Sequence, residues 1–134
     1  MKNKHTIKVA FGDTDAAGIV FYPNFYRWMD QAAHELVGTT LMPVSILQNE
    51  RKIILPLLET FCQFRSPLFF EDQVDVHSKV AEMKDKVFKV EHVFKKEGKV
   101  VAEGYEVRAW TSIENSKPKA VSIPKEVKEA FGVI

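Results

Sequence analysis

The sequence predicts an α+β fold in which one long amphipathic helix packs against an antiparallel sheet. Two observations carry that prediction. One apolar stripe at the helical period lies between residues 25 and 37, and the second half of the chain alternates at the strand period between short polar turns. Helix and strands are therefore segregated along the chain, unlike the alternating units of a parallel sheet. The 134 residues read as one domain, 1–134, with no repeat or linker. At 46% hydrophobic and 28% charged, the composition excludes disorder, collagen and coiled coil.

Residues 6–11 alternate and predict the first strand. Residues 12–23, punctuated by Gly12, Asp13, Asp15, Gly18 and Pro23, predict an irregular loop. Asn24 is the expected N-cap of the long helix and Gly38 its stop. Between them Phe25, Trp28, Met29, Ala32, Ala33, Leu36 and Val37 share one face. The two alanines at mid-stripe let the helix approach a sheet closely. A shorter helix is expected at 43–50, opened by Pro43. Strands are expected at 53–64, 73–82, 86–95 and 99–112, with hairpin turns at 83–86 and 96–99. In the third of these, Phe88, Val90, His92 and Phe94 share a face. A short strand at 119–123 and a brief helix after Pro124 complete the pattern.

Charge excludes further classes. Lys and Arg number 19 against 18 Asp and Glu, a net charge of +1, without the basic excess of a nucleic-acid-binding domain. Cys62 is the single cysteine, so no internal disulfide forms. Residues 1–5 are charged with no apolar run behind them, so no signal peptide is expected. No apolar run approaches the roughly 20 residues of a membrane span. The expected location is the cytoplasm, with neither membrane nor nucleic acid as a partner.

The familiar catalytic motifs are missing: there is no nucleophile elbow, phosphate loop or dinucleotide fingerprint. His5, His34, His77 and His92 lack zinc-site spacing, and His77 and His92 read as structural strand residues. Cys62 lies between Phe61 and Phe64 and reads as a small buried apolar group. The unusual segment is Phe11 to Asn24. A calcium loop would need an oxygen ligand where Ala17 stands and a glutamate where Asn24 stands. Asp13 and Asp15 alone read as turn aspartates that accept nearby backbone N–H groups. The apolar run Ile19 to Tyr22 adds a second meaning. A carboxylate desolvated beside it becomes more basic, and the amides at the helix start can face an oxyanion. Together these suit cleavage of an ester or thioester without serine or histidine.

The run from Asp13 through Asp15, Gly18, Ile19, Val20, Tyr22, Pro23, Asn24, Arg27 and Trp28 to Asp30 resembles the signature of the hotdog-fold acyl-CoA thioesterases. It is most similar to their 4-hydroxybenzoyl-CoA thioesterase branch. The resemblance implies a hotdog fold, an antiparallel sheet wrapped around the long helix. It implies a homodimer formed by joined sheets, assembling to a homotetramer through either sheet or helix faces, with active sites at the subunit interface. Asp15 is then the catalytic carboxylate, attacking the thioester carbonyl or activating a water, and the Tyr22 N–H polarises the carbonyl oxygen. The products are a carboxylic acid and CoA. No cofactor is needed, coenzyme A being part of the substrate.

The resemblance also places Asp30 against a phenol hydroxyl on the acyl group. By spacing alone, Asp30 reads equally as a helix carboxylate paired with His34 at i+4. Leu55 replaces a polar residue of the aromatic pocket and suits an alkyl or plain aryl group as well. Lys84, Lys86 and Lys119 match basic residues that meet the nucleotide phosphates, while Asp85 replaces another and weakens that set. Alone, these are surface lysines. Three alternatives stand: a short-chain aliphatic thioesterase of the broader family, a hotdog dehydratase using Asp30 and His34, and a non-catalytic acyl-CoA-binding protein.

Overall fold

The computed structural model describes residues 2–132. Five antiparallel strands form the main sheet in the order β1 (Lys2–Lys8), β4 (Gln73–Met83), β5 (Val87–Lys96), β6 (Lys99–Ala109), β3 (Leu57–Phe64). A smaller sheet joins β2 (Ile53–Ile54), β7 (Thr111–Ser112) and β8 (Lys119–Ala120). Helix α1 (Pro23–Thr40) packs on one face of the main sheet, and α2 (Val44–Arg51) and α3 (Lys125–Ala130) close its far end. This is the α+β hotdog arrangement.

The α1 stripe is buried as its spacing requires: Phe25, Trp28, Met29, Ala32, Ala33, Leu36 and Val37 are the buried residues of the helix. Opposite it, Phe88, Val90, His92 and Phe94 are all buried on β5. The stripe feeds two apolar cores. Phe25, Trp28, Met29 and Ala32 pack with Val76, Phe94 and Ala102; Leu36 and Val37 pack with Leu47, Val80, Val90 and Trp110. Between them, at one level of the sheet, stand Ser78, His92 and Gly104, in register across β4, β5 and β6.

The boundaries differ from the expected ones for local reasons. The first strand is Lys2–Lys8, not 6–11, because its residues 2–5 pair with β4 at the sheet edge without an apolar signal of their own. A 3-10 turn begins at Phe11. Tyr22, not Asn24, is the N-cap: Pro23 takes the first helical position, where its missing N–H costs nothing. Asn24 instead donates through Nδ2 to Asp13 O at 2.8 Å. Helix α1 runs past Gly38 to Thr40 and stops ahead of Pro43, which disfavours helical backbone at Met42. The expected strand 53–64 is cut at Pro56, which has no N–H for the ladder. The expected strand 99–112 is cut at Trp110, whose N–H turns to Lys86 O at 2.8 Å. The last strand keeps only Lys119 and Ala120. The Glu97–Gly98 turn, with φ of 51° and 80°, is the two-residue type that matches strand twist.

Gly104 is a close-approach position. A Cβ there would land on the Phe61 carbonyl oxygen and stand 3.0 Å from Met29 Sδ and from Cys62 Cα. Gly104→Ala is therefore expected to cost on the order of 1–3 kcal/mol, read as a Tm lower by about 5 °C or more. An unchanged Tm would refute the close approach of helix to sheet at this point.

Candidate active site

The signature segment folds as a small hairpin. Thr14 bridges Val20, the Asp15 N–H donates to Ile19 O at 2.9 Å, and the Gly18 N–H donates to Asp15 O at 2.9 Å. Gly18 closes the turn at φ 83°, a conformation glycine adopts without steric penalty. The Phe21 N–H donates to Asp13 O at 2.9 Å, and the Val20 N–H donates to Leu68 O at 2.8 Å. The loop is thus tied to itself and to the β3–β4 connection before it enters α1.

The two aspartates differ in what they have left to offer. Asp13 accepts the Ala10 N–H on Oδ2 at 2.9 Å and Arg27 Nη2 on Oδ1 at 2.7 Å, so both oxygens hold the loop against the helix. Asp15 accepts the Ala17 N–H on Oδ1 at 2.9 Å, and its Oδ2 has no partner among the described residues. The turn-aspartate reading thus holds for both residues, yet Asp15 keeps a free oxygen. Its expected desolvation is not supplied by its own chain, because Asp15 is exposed. Val20 instead points into the core and Ile19 and Tyr22 line the adjoining groove, while Phe21 is about half exposed.

Tyr22 stands at the helix start with the one uncommitted amide there. Pro23 has no N–H, the Asn24 N–H goes to Phe21 O at 2.9 Å, and the Phe25 N–H goes to Tyr22 O at 3.1 Å. Among the described residues the Tyr22 N–H meets no acceptor, in a position where the helix dipole favours negative charge. The Asp13–Phe21 and Asp15–Ile19 rungs of the hairpin are two residues apart, about 7 Å. The Asp15 rung therefore stands within one strand repeat of the rung that leads into the Tyr22 helix start. Beside them runs an open groove of about 470 Å³ lined by Ile19, Tyr22, Phe25, Phe64, Pro67 and Leu68, among others. Phe64, the last residue of β3, makes edge-to-face contacts with Tyr22, Phe25 and Tyr26 at 5.0–6.4 Å.

The remaining predicted residues lie elsewhere in the chain. Asp30 is about 12 Å further along α1 from Tyr22. Its Oδ1 accepts Arg108 Nη2 at 2.8 Å, while His34 Nε2 is 3.6 Å away. The Leu55 side chain is buried in the far core, and its carbonyl accepts Arg108 Nη1 at 2.7 Å. Lys84 stands in the β4–β5 turn, 3.7 Å from Glu82, and Lys119 begins β8. The Ile123 N–H donates to Asp85 O at 2.7 Å, and Ser122 Oγ donates to Asp85 Oδ2 at 3.1 Å. Asp85 therefore fastens the Lys84–Lys86 turn to the segment that follows Lys119. This lysine end is opposite the Asp15 end, since β3 runs from one to the other.

Sequence reasoning missed a buried polar chain. Ser78 Oγ meets His92 Nδ1 at 2.7 Å, and His92 Nε2 meets Glu106 Oε1 at 3.1 Å. Glu106 Oε2 accepts Arg108 Nη2 at 3.0 Å, the nitrogen that also reaches Asp30. An ionised Glu106 only accepts, so the His92 proton sits on Nε2. Burial pushes the Glu106 carboxyl up, but the bond from His92 and the Arg108 charge outweigh it and hold the group below the usual carboxylate range. The available signal was β6 alternation: with Ala102 and Gly104 facing inward, Glu106 and Arg108 must too. Cys62 is a buried thiol that burial pushes up to about 11, a poor nucleophile. Among the described residues no cluster of three or more His, Cys, Asp or Glu is placed to hold a metal, and no helix is long and apolar enough to cross a membrane.

Comparison with known proteins matches this geometry to a family. Residues 9–131 match the thioesterase-like superfamily. The chain belongs to that family, as a hotdog-fold acyl-CoA thioesterase. A solved gentisyl-coenzyme A thioesterase is 45% identical, with a TM-score of 0.83 over 96% of this chain and 98% of that one. A putative esterase of Aquifex aeolicus (strain VF5) is 32% identical over 92% of this chain and 93% of its own length. The 4-hydroxybenzoyl-CoA thioesterase of Pseudomonas sp. (strain CBS-3) is 25% identical over 91% of this chain and 92% of its own.

The lowered Glu106 carboxyl carries a pH dependence of the thioesterase's stability. The folded state binds this proton less readily than the unfolded chain does. The stabilisation is complete above the ordinary glutamate value of about 4.3 and is lost as pH falls through the lowered one. Glu106→Gln is expected to lower Tm at neutral pH and to flatten its decline in acid. A mutant whose acid limb stays as steep as that of the wild type would dissociate Glu106 from acid unfolding.

Proposed function

We propose that this thioesterase hydrolyses a hydroxylated aromatic acyl-CoA, with Asp15 as the catalytic carboxylate and the Tyr22 N–H as the oxyanion donor. One observation carries this: Asp15 Oδ2 on the hairpin and the Tyr22 N–H at the helix start that follows it are both uncommitted. The carbonyl oxygen lies on the Tyr22 amide at the positive end of α1, where charge develops as the tetrahedral centre forms. Asp15 attacks the carbonyl carbon or takes a proton from the attacking water. The C–S bond breaks, the thiolate of CoA takes up a proton, and water supplies the second oxygen of the acid. The hydroxyl of the acyl group is read by Asp30. Relatives named for gentisyl, 4-hydroxybenzoyl and 1,4-dihydroxy-2-naphthoyl groups support this choice, all three being hydroxylated aromatics.

The site is completed by a second copy. Strand β3 is a sheet edge of eight residues with Leu58 61% exposed and Phe61 and Phe64 about half exposed. Such an edge presents unpaired N–H and C=O groups and favours another strand. Antiparallel pairing of two β3 edges sets the lysine end of one sheet beside the Asp15 end of the other. Lys84, Lys86 and Lys119 then meet the nucleotide phosphates of a thioester held at the partner's hairpin, and the partner shields Asp15 from water. Two such dimers pair into a tetramer, and the enzyme acts in the cytoplasm.

Thiol release from 4-hydroxybenzoyl-, gentisyl-, benzoyl- and butyryl-CoA tests the activity. Asp15→Asn keeps an oxygen for the Ala17 N–H, so Tm should hold while kcat falls about 10²–10⁴-fold. A variant retaining more than a tenth of the wild-type rate would remove Asp15 from the mechanism. Fastest turnover of butyryl-CoA would transfer the enzyme to the aliphatic branch. Separately, Leu58→Glu should shift the sedimenting species to a monomer and abolish turnover together. An active monomer would refute the shared site.

A further inference from the structure

We propose that Arg108 is a positioning residue that sets acyl-group selectivity through Asp30, itself touching no substrate. The inference rests on the reading that Asp30 meets the acyl hydroxyl. The Asp30 carboxylate straddles the protein surface. Its side chain is 44% exposed, whereas that of Arg108 is 4% exposed. Oδ1 is taken by Arg108 Nη2 at 2.8 Å, and Oδ2 has no bond among the described residues. One oxygen is thus anchored and the other is presented as an acceptor. On an exposed helix face an unanchored aspartate samples several rotamers, and each ordered contact with a ligand then carries an entropic cost.

The anchor is itself held from behind. Arg108 Nη1 donates to Leu55 O at 2.7 Å and Nη2 also donates to Glu106 Oε2 at 3.0 Å. Glu106 is gripped by His92, and His92 by Ser78. Three acceptors from three directions (α1, β6 and the residue before Pro56) fix the plane of the guanidinium, a geometry that a lysine ammonium cannot reproduce. The arrangement is poorly optimised for stability alone. Arg108 Nε is buried with no partner, and the cluster holds two carboxylates against one guanidinium. Apolar residues in such places are often neutral or stabilising. What the chain of bonds delivers is a defined direction for one surface carboxylate.

The experiment compares kcat/KM for 4-hydroxybenzoyl-CoA and benzoyl-CoA, which differ only in the hydroxyl. The wild type should favour the hydroxylated substrate by about tenfold or more, the scale of a hydrogen bond to a charged group. Arg108→Lys should bring that ratio close to one, chiefly through KM for the hydroxylated substrate. Its kcat/KM on benzoyl-CoA should stay within about twofold, because uniform ground-state binding is what is lost. Asp30→Ala should also bring the ratio close to one, and adding Arg108→Lys to it should move the ratio no further, the mark of two residues acting as one. A variant that removes both buried charges together, Glu106→Gln with Arg108→Gln, covers the case in which Arg108→Lys fails to fold, and should lose selectivity equally. A folded Arg108 variant that keeps the wild-type ratio overturns the positioning role and leaves the Asp30 reading intact. A wild type with equal rates on both substrates overturns the Asp30 reading and the positioning role together. Loss of rate on both substrates alike also overturns it, since that is a structural effect.

Discussion

The close approach of α1 to the sheet governs where every candidate functional group stands. Helix and sheet each bury one apolar face, and neither is stable with that face in water. Ala32 and Ala33 at the middle of the helix, and Gly104 beneath Met29, bring the two layers together without side chains between them. Once this contact is fixed, the axis of α1 is fixed too. Its N-terminus must then emerge beside Phe64 and Leu68, and its middle must pass over Arg108. The Tyr22 amide and the Asp30 carboxylate take their positions from apolar packing to which neither contributes.

The hairpin before α1 shows how an ordinary turn can hold a carboxylate and leave one of its oxygens free. Asp15 is placed by the bond it accepts from Ala17 and by the left-handed backbone of Gly18. Asp13 supplies rigidity from the other side through Arg27, Ala10 and its own carbonyl. Adjacent carboxylates of the same chemistry are thus separated by their bonding: one is saturated and the other half free. A group fixed by half of its bonding capacity remains available for chemistry with the rest, which is also the condition of Asp30 under Arg108.

The parts legible in the sequence are those with a strong periodic cause. The seven stripe residues of α1 and the inward face of β5 were each spaced to share one side, and burial followed the spacing. The signature from Asp13 to Asp30 carried the family because it is long and its Gly18, Tyr22 and Pro23 have backbone duties. Boundaries were less legible because competing residues nearby could serve. Asn24 is a better cap by its side chain than Tyr22, but Pro23 has its backbone pre-set for the first turn. Gly38 is a natural stop, but its helix had enough contact to continue to Pro43. The edge strand β1 was hidden by its own exposure, since Lys2 to His5 alternate nothing apolar. Glu106 and Arg108 were hidden by their charge, because a charged residue in a strand is ordinarily read as outward-facing.

That last point has a physical consequence for how the core is organised. Ser78 and His92 occupy the level between Val76 and Val80 on one strand and between Phe94 and Val90 on the next, and His92 reaches along to Glu106, which pairs with Val90. The apolar interior is therefore not continuous, and its two halves meet across a row of directional bonds. Apolar contacts tolerate sliding and repacking, whereas a bonded row fixes register, because a slip of one residue would turn His92 and Glu106 outward and strand their partners. One core supports the Asp15 end of the molecule and the other the lysine end. The polar row between them holds the relative position of the two ends, so the Asp15 hairpin and the Lys84–Lys86 turn keep a fixed separation within the chain.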